Sequence, residues 1–212
     1  MSFLVESLIK QRYIKTKRVE AAFRAVPRYH FLPSTGKSEE ELKKEAEINA
    51  PLSLFSGQTI SQPLTVALML ELLGAEANHK VLDVGSGSGW QACLLAHIVG
   101  SKGKVYALEI LPELKEFGKQ NAKRFKFSNL KFVLGNGWQG LPEHAPFDRI
   151  IVAAAAPKIP SVLKSQLKIH GVLVIPIGTT HNCALTRIEK IAEDDFKIRK
   201  EPGFSFVPLI DS

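Results

Sequence analysis

Apolar side chains at Leu4, Leu8, Tyr13 or Ile14, Val19, Phe23 and Val26 recur at close to a 3.6-residue period, so residues 2–26 are expected to form helices. Pro27 should end that region. Residues 37–47, KSEEELKKEAE, predict a charged, solvated helix or helical loop. Ser38 is its cap, and Glu39–Lys43 and Glu40–Lys44 are i,i+4 pairs. A further helix-like apolar run covers Pro63–Leu73. From residue 80 the pattern changes. Strands are expected at Val81–Val84, Val105–Ile110, Leu130–Leu134, Ile150–Ala153 and Val172–Ile177, with helices at Trp90–Val99, Glu113–Phe125 and Ser161–Leu167. Two later strands, Cys183–Lys190 and Phe196–Phe206, predict an antiparallel end. Strands alternating with helices imply a parallel sheet with right-handed crossovers. The expected fold is α/β: a doubly wound, mostly parallel, Rossmann-like sheet with an N-terminal helical cover and antiparallel C-terminal strands. No linker separates a second unit. Residues 1–212 therefore read as one domain, with 1–79 a helical extension and 80–212 the α/β core.

Composition narrows the picture. Hydrophobic residues make up 45% of the chain, enough for a sizeable core. The longest apolar run, Ile150 to Ala156, is too short to span a bilayer, and Glu6 interrupts the apolar residues of the N-terminus. No membrane partner or signal peptide is expected. Cys93 and Cys183 each sit in an apolar run and read as buried free thiols, which suits a reducing, cytoplasmic setting. The net charge of +7 invites an anionic partner such as nucleic acid. The lysines are scattered, however, with little aromatic interleaving, so they read as solvated surface and no nucleic acid is expected. No pair among the six histidines has metal-ligand spacing, and no metal is expected.

The strongest local signal is the run from Val81 to Gly89, V-L-D-V-G-S-G-S-G. It is a strand running into a glycine turn that opens a helix. Nucleotide cofactors bind at such turns, at the carboxyl ends of parallel strands. The dinucleotide fingerprint G-x-G-x-x-G requires a third glycine where this chain has Trp90. Gly85-x-Gly87-x-Gly89 preceded by Asp83 instead looks like the first motif of class I methyltransferases. Glu109, ending the second strand, is placed to accept both ribose hydroxyls. Gly135-Asn136-Gly137 ends the third strand, a tight turn where adenine is held in this fold.

Leu54-Phe-Ser-Gly-Gln-Thr-Ile-Ser61-Gln-Pro63 resembles the G-Q-T-I-S-x-P segment of protein-L-isoaspartate O-methyltransferases. So do Pro146–Ile151, Ala154–Pro157, Leu173–Gly178 and Phe206–Leu209. The likeness covers nearly the whole chain and is weakest at residues 34–50. It implies methyl transfer from S-adenosyl-L-methionine to the free α-carboxylate of L-isoaspartyl residues in damaged proteins and peptides. It also implies that Ser61 is the catalytic serine and that Thr59 and Ile60 line the cofactor. With the glycine turn, the expected cofactor set is Thr59, Ile60, Asp83, Gly85, Ser86, Gly87, Gly89, Glu109, Asn136 and Gly137. Ser61, Val207 and Leu209 are expected on the substrate side, and the enzyme is expected to act as a monomer.

Two departures stand out. The family's Gly-Asp-Gly is here Gly135-Asn136-Gly137, and only three residues follow Leu209, where some members of that family carry further residues that cover the cofactor. Ser61 has a competing role as N-cap of Pro63–Leu73. Trp138 either flanks adenine or packs. An RNA methyltransferase is disfavoured because Ala153–Pro157 stands where a base-reading motif would follow the fourth strand. A non-catalytic binding module is disfavoured by Asp83, Glu109 and Ser61 together.

Overall fold

The structure, a computed structural model, describes residues 2–211. The periodic N-terminal region forms two helices, α1 (Phe3–Lys10) and α2 (Lys17–Ala25), which bury Leu4, Leu8, Val19 and Phe23. The charged segment forms α3 (Glu39–Ala46), where Ser38 and Glu41 make a reciprocal capping box. Both expected ion pairs are present, Glu40–Lys44 at 2.9 Å. A two-residue hairpin, β1 (Leu52–Ser53) with β2 (Thr59–Ile60), then leads into α4 (Pro63–Leu73).

The core contains β3 (Lys80–Val84), α5 (Trp90–Val99), β4 (Lys104–Glu109), α6 (Pro112–Ala122), β5 (Leu130–Leu134) and β6 (Phe147–Val152). It continues with α7 (Ser161–Ser165), β7 (Leu167–Thr179), β8 (Asn182–Lys190) and β9 (Phe196–Phe204). The seven core strands form one sheet in the order β5-β4-β3-β6-β7-β8-β9. The first five in that order run parallel, and β7–β8–β9 are antiparallel. This matches the expected doubly wound sheet with an antiparallel end.

Strand alternation divides the core in two. Val81, Val105 and Ile151 point to the face covered by α1, α2, α4 and α5. Leu82, Leu108 and Ile150 point to the opposite face, with Phe147 and Leu163. The N-terminal helices therefore share a core with the sheet.

Several boundaries differ from expectation, among them β6, which starts at Phe147 instead of Ile150. The helix at 161 ends at Ser165, and β7 starts five residues before Val172. The cause is tertiary pairing. Leu167 sits opposite Phe147 with its side chain buried, and the Phe147 N–H donates to the Gln166 carbonyl at 2.8 Å. The α6 region tightens into a 3-10 turn at Lys123–Phe125. β9 ends at Phe204 because the chain swings back: Phe206 N–H donates to the Thr180 carbonyl, and Ala155 pairs with Pro208.

At the start of α5 the chain needs a glycine. Gly89 has φ +83°, and a Cβ there would stand 2.8 Å from the Gly118 carbonyl oxygen of α6. Gly89→Ala is therefore expected to destabilise the protein by about 2 kcal/mol or more, through strain and steric overlap. A thermal melt indistinguishable from that of the parent would contradict this packing.

Candidate active site

A cavity opens at the carboxyl ends of β3, β4, β5 and β6, beside the point where strand order reverses between β3 and β6. Its floor is the glycine turn. The N–H groups of Gly85 and Ser86 both donate to the Leu108 carbonyl, at 2.9 and 3.2 Å. The Glu109 carboxylate completes the tie: Oε2 accepts from Gly87 N–H at 2.8 Å, and Oε1 from Ile110 and Leu111 N–H at 2.9 and 3.1 Å. Glu109 is buried. Each of its oxygens has two lone-pair directions, so these bonds fill Oε1 and leave one acceptor direction free on Oε2.

Ten of the expected residues line this cavity: Thr59, Ile60, Ser61, Gly85, Ser86, Gly87, Glu109, Gly137, Val207 and Leu209. Three stand behind the wall. Gly89 packs on α6. Asp83 lies with Val81 on the sheet face covered by α5, where Gln91 Nε2 donates to its Oδ1 at 2.8 Å. Asn136 flanks the cavity between Gly135 and Gly137, but its carboxamide is engaged elsewhere. Its oxygen accepts from Trp138 N–H at 2.8 Å, and its Nδ2 donates to Asp211 Oδ1 at 2.8 Å and to the Asp211 carbonyl.

The hydroxyl of Ser61 is not spent on the helix. The N-cap of α4 is Gln62, with no side-chain capping bond. Asn49 serves that end instead: its Oδ1 accepts from Leu64 N–H at 3.1 Å, while Gln62 Nε2 donates to the Asn49 carbonyl at 2.9 Å. Sequence periodicity gave no hint of Asn49, because it acts from outside the helix it caps.

The residues fit S-adenosylmethionine. Among the described residues, the buried Ser86 Oγ and Asp83 Oδ2 have no hydrogen-bond partner. Burial pushes Asp83 up to about 7; the Gln91 hydrogen bond opposes this and the nearby Glu109 charge adds to it. A cation in the cavity would meet the Glu109 carboxylate and lie in the field of Asp83 behind the wall, whose ionised form it would favour.

The profile of the protein-L-isoaspartate(D-aspartate) O-methyltransferase family matches residues 1–212. The chain belongs to that family. It is 44% identical over 207 residues to the protein-L-isoaspartate O-methyltransferase of Pyrococcus horikoshii, covering 97% of this chain and 90% of that one. It is 42% identical over 208 residues to that of Methanopyrus kandleri, covering 98% and 89%. A solved Plasmodium falciparum protein-L-isoaspartate O-methyltransferase in complex with S-adenosyl-L-homocysteine superimposes with a TM-score of 0.83, at 28% identity, over 99% of this chain and 97% of that chain.

Within this family frame, the C-terminal segment forms a strap over the cavity. Residues Val207 to Ile210 line it. Leu209 N–H donates to the Ala155 carbonyl and Ala155 N–H to the Val207 carbonyl, both at 2.8 Å. Trp138, left open between two roles by the sequence, holds the strap: its Nε1 donates to the Leu209 carbonyl at 3.1 Å. Ser212 lies outside the described residues. Gly137 lets Leu209 approach, since a Cβ there would stand 2.6 Å from Val84 Cγ1 and 3.0 Å from Leu209 Cδ1. Leu209 therefore packs against the Gly135–Gly137 turn while lining the same cavity as Ser61.

Two predictions follow from the charges. A cation favours ionised Asp83, and that form gains as pH rises. S-adenosylmethionine affinity should therefore tighten by roughly threefold to tenfold from about pH 6 to about pH 8 and level off above. Calorimetry on the parent and Asp83→Asn checks this; a pH slope that survives in the variant would assign the proton to another group. Asn136→Asp would face one carboxylate with another at Asp211. The strap should loosen and cofactor affinity should fall about twofold to fivefold, an exposed contact being worth little. Adding Asp211→Asn to that variant should restore the affinity. Tighter binding by Asn136→Asp alone would show that the Asn136 side chain serves the ligand directly.

Proposed function

We propose that this enzyme transfers the methyl group of S-adenosylmethionine to the free α-carboxylate of L-isoaspartyl residues in damaged proteins and peptides, with Ser61 orienting the acceptor. The observation that carries the role of Ser61 is its place. It lines the same cavity as the glycine turn and Glu109, and the cap of α4 falls to its neighbour.

The chemistry asks little of acids or bases. An α-carboxyl with a pKa near ~3.5 is already ionised at neutral pH. When bound, S-adenosylmethionine supplies an activated methyl group on a sulfonium cation. The protein's part is alignment. Ser61 Oγ–H donates to one carboxylate oxygen and fixes its direction without removing its charge. Ile60, Val66 and Val207 in the cavity wall keep water from the meeting of anion and cation. Glu109 would accept from a ribose hydroxyl through the acceptor direction that its backbone bonds leave free on Oε2. Thr59 and Ile60 flank the methyl-bearing end, and Gly135 and Gly137 leave room for the adenine ring. Val207 offers an edge against which an extended peptide runs.

The product ester is a far better electrophile than the acid. The next backbone nitrogen closes a succinimide, which reopens partly to normal aspartate without an enzyme. We place the protein in the cytoplasm as a monomer acting on proteins rather than on nucleic acid. The free, buried Cys93 and Cys183 support a reducing compartment. Pairing of several exposed lysines with glutamates supports an unspecialised surface charge.

The test is a methyl-transfer assay on matched peptides. A peptide with L-isoaspartate should be methylated and its L-aspartate counterpart should not. Ser61→Ala should lower kcat by roughly tenfold or more while leaving S-adenosylhomocysteine affinity within about twofold. Equal turnover of the two peptides would remove the repair function. A variant changed only in melting temperature would return Ser61 to a structural role.

A further inference from the structure

Arg28 is a guanidinium buried outside the cavity, 5% exposed. It opens a short 3-10 turn, Arg28–Phe31, just after α2. Its Nη1 donates to the Ile48 carbonyl at 2.8 Å, with the Ala46 carbonyl farther off at 3.4 Å. Its Nη2 donates to the Ala50 carbonyl at 2.8 Å and the Ser61 carbonyl at 3.2 Å, with that of Ile60 at 3.5 Å. One side chain thus joins the loop after α3 to the segment that delivers Ser61. The guanidinium also lies over the Trp90 ring, 5.6 Å from its centroid. Trp90 lines the cavity and is anchored through Nε1 to the Val26 carbonyl at 3.0 Å.

The charge on Arg28 has no ion-pair partner among the described residues. Glu45 acts on it only through space and is itself paired with Lys37 at 2.6 Å. Arg28 Nε has no hydrogen-bond partner among the described residues. Burial lowers the pKa to about 10, which still leaves the group charged at neutral pH. A buried cation without a counter-ion is costly, and carbonyl dipoles offset only part of that cost. A neutral amide would serve one or two carbonyls without it. A planar fork with five donors serves more, and only a guanidinium combines the fork with a permanent charge.

We infer that Arg28 is a positioning residue for the acceptor: it fixes the Ile60–Ser61 backbone, and its uncompensated positive charge behind Ser61 selects an anionic acceptor. The inference rests on the reading of Ser61 given above. Arg28 does not reach the cavity wall and acts through Ser61. Buried as it is, its charge is screened less than a surface charge, so it favours a carboxylate over a neutral group of the same shape.

Two peptides test it: one with an isoaspartyl α-carboxylate, the other with the same residue as its α-carboxamide. Their affinities are measured by calorimetry with S-adenosylhomocysteine present. The parent enzyme should prefer the acid by about tenfold or more. Arg28→Gln should lose most of that preference, because acid affinity falls about tenfold while amide affinity moves less than about twofold. Arg28→Lys should keep the preference even if kcat falls, since it keeps the charge and loses the fork. S-adenosylhomocysteine affinity should stay within about threefold in both variants. A purely structural Arg28 would weaken both peptides equally in Arg28→Gln, and that result overturns the inference. If Arg28→Gln fails to fold, a parent enzyme indifferent to acid and amide, or an Arg28→Lys that loses the preference, overturns it equally well. Failure of the parent to methylate the isoaspartyl peptide would instead defeat the proposed function, so the two failures are separable.

Discussion

The carboxylate of Glu109 is the constraint on which the site depends. Three backbone N–H groups, from Gly87, Ile110 and Leu111, converge on it. Two of them come from its own strand end and one from the turn after the neighbouring strand. A buried donor left without an acceptor is expensive, so these three groups and the carboxylate hold one another in place. The turn is thereby fixed to β4 as well as to β3, and α5 starts where the turn releases it. Everything the cavity floor presents, including the unpartnered Ser86 hydroxyl, inherits its position from that knot of charge-assisted bonds.

The opposite wall is built differently. Ser61 follows a two-residue strand, Thr59–Ile60, that is too short to hold itself in place. Arg28 supplies the rigidity from behind, gathering carbonyls from two loops, and Asn49 settles the helix that follows. The roof is different again: a C-terminal strap held by Ala155, Trp138 and Asn136. Sheet, clamp and strap thus surround one cavity.

Much of this was legible in the sequence, for reasons that differ by residue. The glycine turn and Glu109 form a local pattern, so spacing alone located them. Strand alternation also contained a fact that motif reasoning passed over. Asp83 shares a face with Val81, which turns it toward α5 and Gln91 instead of into the cavity. The N-cap role of Ser61 was undecidable locally, since a serine two residues before a helical proline suits it; Gln62 and Asn49 exclude it through a tertiary contact. Arg28 was invisible because its carbonyl partners lie 18 to 33 residues away along the chain. The Asn136–Asp211 contact spans 75 residues. The early start of β7 depends on Phe147, in another strand. Local pattern encoded the elements and the cofactor motif, while the acceptor wall and the strap are long-range.

The sheet ends on β9, whose outer edge pairs with nothing among the described residues. An open edge offers a row of unpaired N–H and C=O groups to any extended chain. An enzyme of protein repair spends its time among such chains, because aged proteins expose strands that their native folds kept covered. β9 carries Lys197, Arg199, Lys200 and Glu201, all exposed, along most of its length. Adding a foreign strand there would bring its backbone against a hedge of solvated charge. The same edge that closes the fold therefore disfavours pairing with the exposed strands of its own clients.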